Sequence, residues 1–529
     1  MITKEYSFEE LKFSSQLVRD LIQEKEPIKQ FINDFYSAAA ISEQIKQKPF
    51  SVDQRVLLNQ QLIKQNSAVE LTVASQKHID AILQNNTYTI TTGHQLNLLT
   101  GPLYTIYKIA QVIKIANQKA IDQPEMNFVP VFWMATEDHD FEEINHLHLF
   151  GKKIEWENEV SKGKIVGAIE LDSMNEFLAT VEDKYQDESL KEVLIKLTNA
   201  YKTTSNLAEA TRELVNQLFG EYGIVILDGN DQELKKAFAP IAKKEVEEEL
   251  VFSTVDKTNA ALEELGYHQQ VYLRECNLFY IDEHHYRQRI AKTDDGFLIN
   301  EKAWTKEEVL NAIDDNPAQF SPNALLRPVY QECILPNLVY VGGGGEIAYW
   351  LQLKGVFEAL NIPYPLLRVR DSFLLVRESE EEQLAAINMS IFDLKENLEM
   401  ILKELALANN ADEIQLDDER QVLKAVKEKL VEKSNVINKG LNAMVEAEFA
   451  KFEKTIDKIQ ASFIKSEKGK LDKERKRIES LQAKFFPGGS FQERFDNFIP
   501  YHLQNDAFIA DIMALMSTAT APKVNIVRI

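Results

Sequence analysis

The chain has 529 residues, 44% of them hydrophobic, with 60 Lys and Arg against 83 Asp and Glu, a net charge of −23. That length and hydrophobic share predict roughly two to four cored domains and exclude a disordered chain, while the acidic balance repels phosphate backbones and excludes a bulk nucleic-acid binder. No run of about 18 apolar residues occurs to span a membrane, Met1–Glu10 lacks the apolar centre of a secretory signal, and two cysteines without metal-type spacing, Cys276 and Cys333, fit a reducing, cytoplasmic compartment.

Residues 1–87 read as a helical segment packed on the core. Asn33–Lys46, Val52–Gln65 and Val69–Leu83 carry apolar positions at helical spacing. Tyr88–Thr92 is β-branched and aromatic and predicts a buried strand. Gly93 and Gly101 bracket a polar loop, and Pro102 suits the first turn of a helix carrying Leu103, Ile106, Ile109, Val112 and Ile113. Strand, loop and helix start aim backbone N–H groups at one point, which suits a phosphate or carboxylate; an ordinary strand–helix connection has the same pattern. Phe128–Met134 is a second strand. It runs into Glu137-Asp138-His139-Asp140, the expected form of a site at a sheet's carboxyl edge.

Leu147–Gly167 reads as a short β insertion, Leu190–Gly220 as helix, Ile224–Gly229 as a third strand and Asp231–Leu250 as its helix. This alternation predicts a doubly wound parallel α/β sheet over 88–377. Insertions occupy about 147–220 and 251–324, the latter with antiparallel alternation at Gln269–Ile290. The core resumes with a strand at Leu325–Glu332, another at Leu338–Val341, four glycines at Gly342–Gly345 opening a helix, and a last strand at Tyr364–Val369. Within 378–484, Leu384, Ile387, Ile391, Leu394, Leu398 and later Leu441, Val445, Phe449, Phe452 step by three and four among Lys and Glu. That pattern predicts an antiparallel coiled coil turning at Ala408–Asp418, with a second helix of about 100 Å if unbroken to Lys484. Residues 485–529 read as a helical segment returning to the core.

Four stretches together, TGHQLNLLTGPLYTIYK (92–108), PVFWMATEDHDFEEINH (130–146), RPVYQECILPNLVYVGGGGEIAYWLQLK (327–354) and PGGSFQERFDNFIPY (487–501), resemble the cysteine-adding ligase family of bacillithiol biosynthesis (BshC). The resemblance runs over nearly the whole chain, in order. It implies a Rossmann-like core similar to class I tRNA synthetases, with connecting insertions and a coiled coil that makes a homodimer. It implies a ligase that joins the carboxyl group of L-cysteine to the amine of glucosaminyl malate. A nucleotide-binding regulatory protein that kept the fold without the chemistry is the rival reading. The chain departs from synthetases in two places. Thr91-Thr92-Gly93-His94 lacks the first histidine of His-x-Gly-His, and no Lys-Met-Ser-Lys-Ser loop follows the core. ATP or ADP is therefore the candidate nucleotide without a signature that fixes it.

Amide formation from a carboxylate needs activation, donors around a phosphate or oxyanion, and a neutral amine. His94 is placed to hydrogen-bond a phosphate or developing oxyanion, and Asp138, His139 and Asp140 are the expected acid–base groups, since crowded like charges raise one another's pKa. The same cluster, with Glu137, could bind substrate ammonium groups, or be a solvated turn. Glu137, Asp138, His139, His146 and His148 are also metal-ligand types without a recognised spacing, so no metal is predicted beyond a magnesium ion accompanying a nucleotide. Gly93, Gln95, Asn97 and Tyr104 are expected on the substrate from the first loop and its helix, and Gly343, Gly344, Glu346 and Tyr349 from the second. Arg327 is the expected clamp for a malate carboxylate, and Gln331 is expected on the substrate as well. Cys333 is discounted as a nucleophile because no histidine lies beside it.

Overall fold

The computed structural model describes residues 2–158, 162–184 and 187–529. The chain forms two compact units, one of Met1–Leu375 with Glu493–Ile529 and one of Val376–Gln492.

The first unit is built on a five-stranded sheet in which every pairing is parallel. Across the sheet the order is Leu366–Val369, Asn337–Gly342, Thr87–His94, Asn127–Met134, Val225–Asp228. Numbered along the chain this is 5-4-1-2-3, the Rossmann order, and the expected doubly wound fold is what is found. Thr87–His94 is buried at all eight positions, as its β-branched run requires. Its threonines spend their hydroxyls inside the sheet: Thr91 Oγ1 donates to Asn337 Oδ1 at 2.8 Å and Thr92 Oγ1 to the Val341 carbonyl at 2.8 Å. The helix Leu103–Asp122 returns from the first strand to the second with 13 of its 20 residues buried, so both its faces are covered. The strand order reverses between the first and fourth strands, and their carboxyl ends, Gly93-His94 and Gly342, open a crevice there.

The insertions hold a hairpin, His146–Leu149 with Lys152–Glu155, and helices Met174–Lys184, Glu188–Lys202 and Leu207–Phe219, so the stretch expected as one helix near 190–220 is two. The second insertion has the expected antiparallel character: Leu278–Ile281 pairs with Arg287–Arg289 on one side and Phe320–Pro322 on the other.

Three expectations are corrected. Leu325–Glu332 is not a strand; Arg327–Ile334 is a helix with Pro328 in its first turn. Asn323 Oδ1 accepts the N–H groups of Leu325 and Leu326 just ahead of it, and six of the eight helical residues are buried, which erases the amphipathic period. The two ends of the chain are not purely helical: Ile2–Ser7 pairs antiparallel with Lys523–Arg528, beside Ser372–Val376. In the second unit the main reversal lies at 438–441, not 408–418. Helices Asp417–Ile437 and Asn442–Lys468 flank it, and Asn438 Oδ1 caps the Gly440 N–H at 2.8 Å. A further break at 469–471 precedes Asp472–Phe485, so no single helix reaches the expected length.

Candidate active site

A cleft of about 790 Å³ opens at the carboxyl edge of the sheet. It brings together the end of the first strand (Gly93, His94, Gln95), the helix after it (Tyr104, Lys108), the acidic turn (Glu137, Asp138, Glu143) and the glycine turn (Gly343, Gly345, Glu346, Tyr349). Arg327 lines it as well, with Arg274, Arg287, Arg289, Arg370 and Arg494. Seven basic lining residues face four acidic ones. In a chain of net charge −23 this local reversal makes the cleft a place for anions.

Part of the first loop's backbone is already engaged. Leu99 N–H donates to Tyr201 Oη, Gly101 N–H to the Leu98 carbonyl and, at the helix start, Leu103 N–H to the Asp496 carbonyl. The Gln95 N–H donates to His94 Nδ1 at 2.7 Å, which leaves the ring proton on Nε2. His94 is only 8% exposed, stacks on Tyr104 with centroids 5.0 Å apart, and its Nε2 is buried with no partner. Burial, with the Lys108 and Arg370 cations nearby, pushes its pKa down to about 3. His94 is thus a neutral, fixed donor at physiological pH rather than a base, the state in which an imidazole polarises an oxygen.

Lys108 arises one turn after Tyr104, bonds the Gly93 carbonyl and pairs with Glu346 at 2.7 Å. Glu346 also accepts from Tyr340 Oη at 3.0 Å and from the Gly343 N–H at 3.0 Å. Burial opposes its charge, yet Lys108 holds its carboxyl below the usual range. Arg327 lies 5.8 Å from both the Trp133 and Tyr340 ring centroids and donates to Gln331 Oε1 at 3.0 Å. Among the described residues none of its nitrogens has a carboxylate within 4.0 Å. Arg370 follows the last strand and is held by Glu493 through two bonds of 2.9 and 2.7 Å, which sets Arg494 beside the cleft.

In the acidic turn the carboxylates have separate duties. Glu137 is paired with Lys235, which is fully buried and also donates to the Ala318 carbonyl at 3.1 Å. Asp138 Oδ1 accepts the backbone N–H groups of His139 and Asp140, and its Oδ2 accepts from Gln95.

Five expected residues are placed outside the lining. His139 turns to Arg287, which sits 4.0 Å over the Phe279 ring and reaches His139 Nδ1 at 3.2 Å; burial and that cation lower the His139 pKa. Asp140 is exposed and caps the short helix Phe141–Ile144. Asn97 braces the loop against the Glu143 carbonyl at 3.2 Å, and Gln331 is buried between Arg327 and Glu332. A side chain on Gly344 would strike Ser14, so this glycine serves packing, while one on Gly345 would meet nothing. Sequence reasoning missed Lys108, Glu143, Arg287 and Arg370. Only Arg370, directly after a core strand, carried a positional signal.

Fold and crevice define a Rossmann-type α/β protein with a small-molecule cleft at its topological switch point. The chain matches the family model "Bacillithiol biosynthesis BshC, N-terminal Rossmann-like domain" over residues 1–371 and the model of the C-terminal coiled-coil domain of the same family over 373–528. It is similar to proteins named "Putative cysteine ligase BshC". That of Flavobacterium johnsoniae is 38% identical over 94% of both chains, and that of Cytophaga hutchinsonii 34% over 93% of this chain and 92% of its own. A more distant one, from Chlorobaculum tepidum, is 29% identical over 84% of each. This protein belongs to the BshC family of bacillithiol biosynthesis.

Proposed function

We propose that the protein is a ligase joining the carboxyl group of L-cysteine to the amine of glucosaminyl malate, the last step of bacillithiol formation. The observation that carries this reading is the unpartnered, neutral donor at His94 Nε2, on a buried side chain in a cation-rich cleft. Such a donor is aimed where charge develops on a carboxyl oxygen as the amine attacks, and costs no reorganisation at that moment. Arg327, half-buried and with no carboxylate partner among the described residues, fits one carboxylate of malate, and its partner Gln331 holds the guanidinium in place. Tyr349, hydrogen-bonded to Arg327, walls that end.

Activation of the carboxylate calls for a phosphate donor, and ATP fits the site. The backbone at Gly345 is uncovered, and the surrounding arginines supply countercharge. When bound, ATP would supply the phosphoryl or adenylyl group that turns the carboxyl oxygen into a leaving group. In the second unit Val422, Met444, Phe452 and Phe463 are apolar and 65%, 57%, 53% and 43% exposed, which supports a homodimer through the coil. The two cysteines are free thiols, in keeping with a reducing cytoplasm.

The test is to incubate the purified protein with L-cysteine and glucosaminyl malate, with and without ATP, and to look for bacillithiol by mass. Product is expected with ATP. No product under either condition refutes the ligase reading and favours a binding protein that kept the fold. Arg327→Ala is expected to weaken malate-bearing ligands by about tenfold or more; unchanged affinity removes Arg327 from the site.

A further inference from the structure

Gln95 joins two parts of the cleft floor. Its backbone N–H fixes the His94 ring at 2.7 Å, while its side-chain Nε2 donates to Asp138 Oδ2 at 2.6 Å and to Glu143 Oε2 at 2.6 Å. Both amide hydrogens are spent on carboxylates. Two carboxylates drawn to one nitrogen repel each other, and a neutral amide offsets only part of that. Among the described residues no Lys or Arg nitrogen lies within 4.0 Å of either, so neither carboxylate is closed in an ion pair with Lys or Arg, and Arg287 acts on Asp138 only from farther off. The same cleft wall holds the opposite deficiency: His94, the residue before Gln95, has Nε2 as a donor with no acceptor on a side chain more than nine-tenths buried. Carboxylates outside any ion pair with Lys or Arg and a donor without an acceptor, in one cleft, are complementary to one kind of small molecule. An α-amino acid carries ammonium and carboxylate on the same carbon.

We infer that Glu143, Asp138 and His94 form the α-amino-acid subsite, with the substrate ammonium on the two carboxylates and its carboxylate on His94 Nε2–H. Gln95 is the positioning residue that holds both halves. This rests on the ligase reading, and it deepens it in two ways. It makes Glu143, a residue outside the Glu137–Asp140 run, a direct substrate contact. It also sets the bond-forming carboxylate at His94, so the amine-bearing partner extends toward Arg327.

The test is calorimetric titration of the full chain with L-cysteine, with cysteamine, which lacks the carboxylate, and with 3-mercaptopropionate, which lacks the ammonium. Each analogue is expected to bind at least about tenfold more weakly than cysteine. Glu143→Gln, at an exposed position, should weaken cysteine by about tenfold and leave mercaptopropionate within about twofold. Gln95→Ala should raise the Kd for cysteine and leave that for glucosaminyl malate unchanged. Equal binding of mercaptopropionate and cysteine, a Glu143→Gln variant that matches the wild type or weakens both ligands alike, or no cysteine binding at about 10 mM overturns the subsite. A wild type that makes no bacillithiol but ranks the analogues as expected sinks the ligase reading and leaves the subsite standing. Product formation with a flat ranking does the reverse.

Discussion

The ion pair between Arg370 and Glu493 is the sharpest place to test how the cleft is held. The two side chains are 5% and 1% exposed and meet through a two-point contact, with Ser372 Oγ donating to the same carboxylate at 3.0 Å. Glu493→Gln keeps the shape and removes the charge, which leaves a guanidinium buried without compensation. Breaking one partner of such a pair costs about 3–5 kcal/mol, whereas replacing both by apolar groups of similar size is often near neutral. All four tryptophans, Trp133, Trp156, Trp304 and Trp350, lie in the first unit. Their fluorescence in a urea titration therefore follows that unit alone. Glu493→Gln should lower its unfolding free energy by about 3–5 kcal/mol, and Arg370→Met with Glu493→Leu should cost clearly less than the single change. A loss below about 1 kcal/mol in Glu493→Gln, or a double variant equal to the sum of its singles, would refute the argument that this contact is a coupled, desolvated pair.

His94 gives a pH prediction. Its folded pKa of about 3 lies below its ordinary 6.5, so the unfolded chain binds the extra proton first. The stability it contributes is complete above about pH 6.5 and is lost as pH falls toward 3, at up to about 1.4 kcal/mol per pH unit. His148, lowered by burial to about 4, adds in the same direction. Urea titrations at pH 7.5 and 5.5 should show the first unit weaker at the lower pH, and His94→Gln should shrink that difference by about 1 kcal/mol; a flat profile contradicts the burial of a neutral ring. Gly344→Ala should destabilise by about 1–3 kcal/mol through Ser14 and be partly rescued by Ser14→Gly, while Gly345→Ala should be neutral or slightly stabilising. Equal melting shifts for the two would dismiss the steric account. Phe452→Glu with Phe463→Glu should convert a dimer to a monomer in light scattering; a wild type that is already monomeric removes the homodimer.

Local chemistry made part of this legible. The β-branched run before Gly93 and the apolar run before Glu137 can only be buried strands, and four consecutive glycines before a helix mark a strand–helix turn whatever surrounds them. Burial on all sides hid the rest. The Arg327–Ile334 helix has no polar face to betray its period. The loop after His94 resembles an open cradle until Tyr201 and Asp496, from distant parts of the chain, take the N–H groups of Leu99 and Leu103. His139 has the residue type of a base, but which way it turns is decided by Arg287, a residue of the second insertion. Glu143 carries no signal of its own, being an ordinary exposed helix residue until Gln95 reaches it.

The pairing of Ile2–Ser7 with Lys523–Arg528, and the grip of Glu493 on Arg370, tie the beginning and middle of the chain to its last few dozen residues. On a ribosome, where segments emerge in order, the parallel sheet can assemble long before those residues exist. A chain stopped before Glu493 would thus leave Arg370 without its carboxylate and the cleft without Arg494 on its wall. Limited proteolysis of a chain truncated before Glu493 should cut the cleft-lining loops faster than in the 529-residue chain.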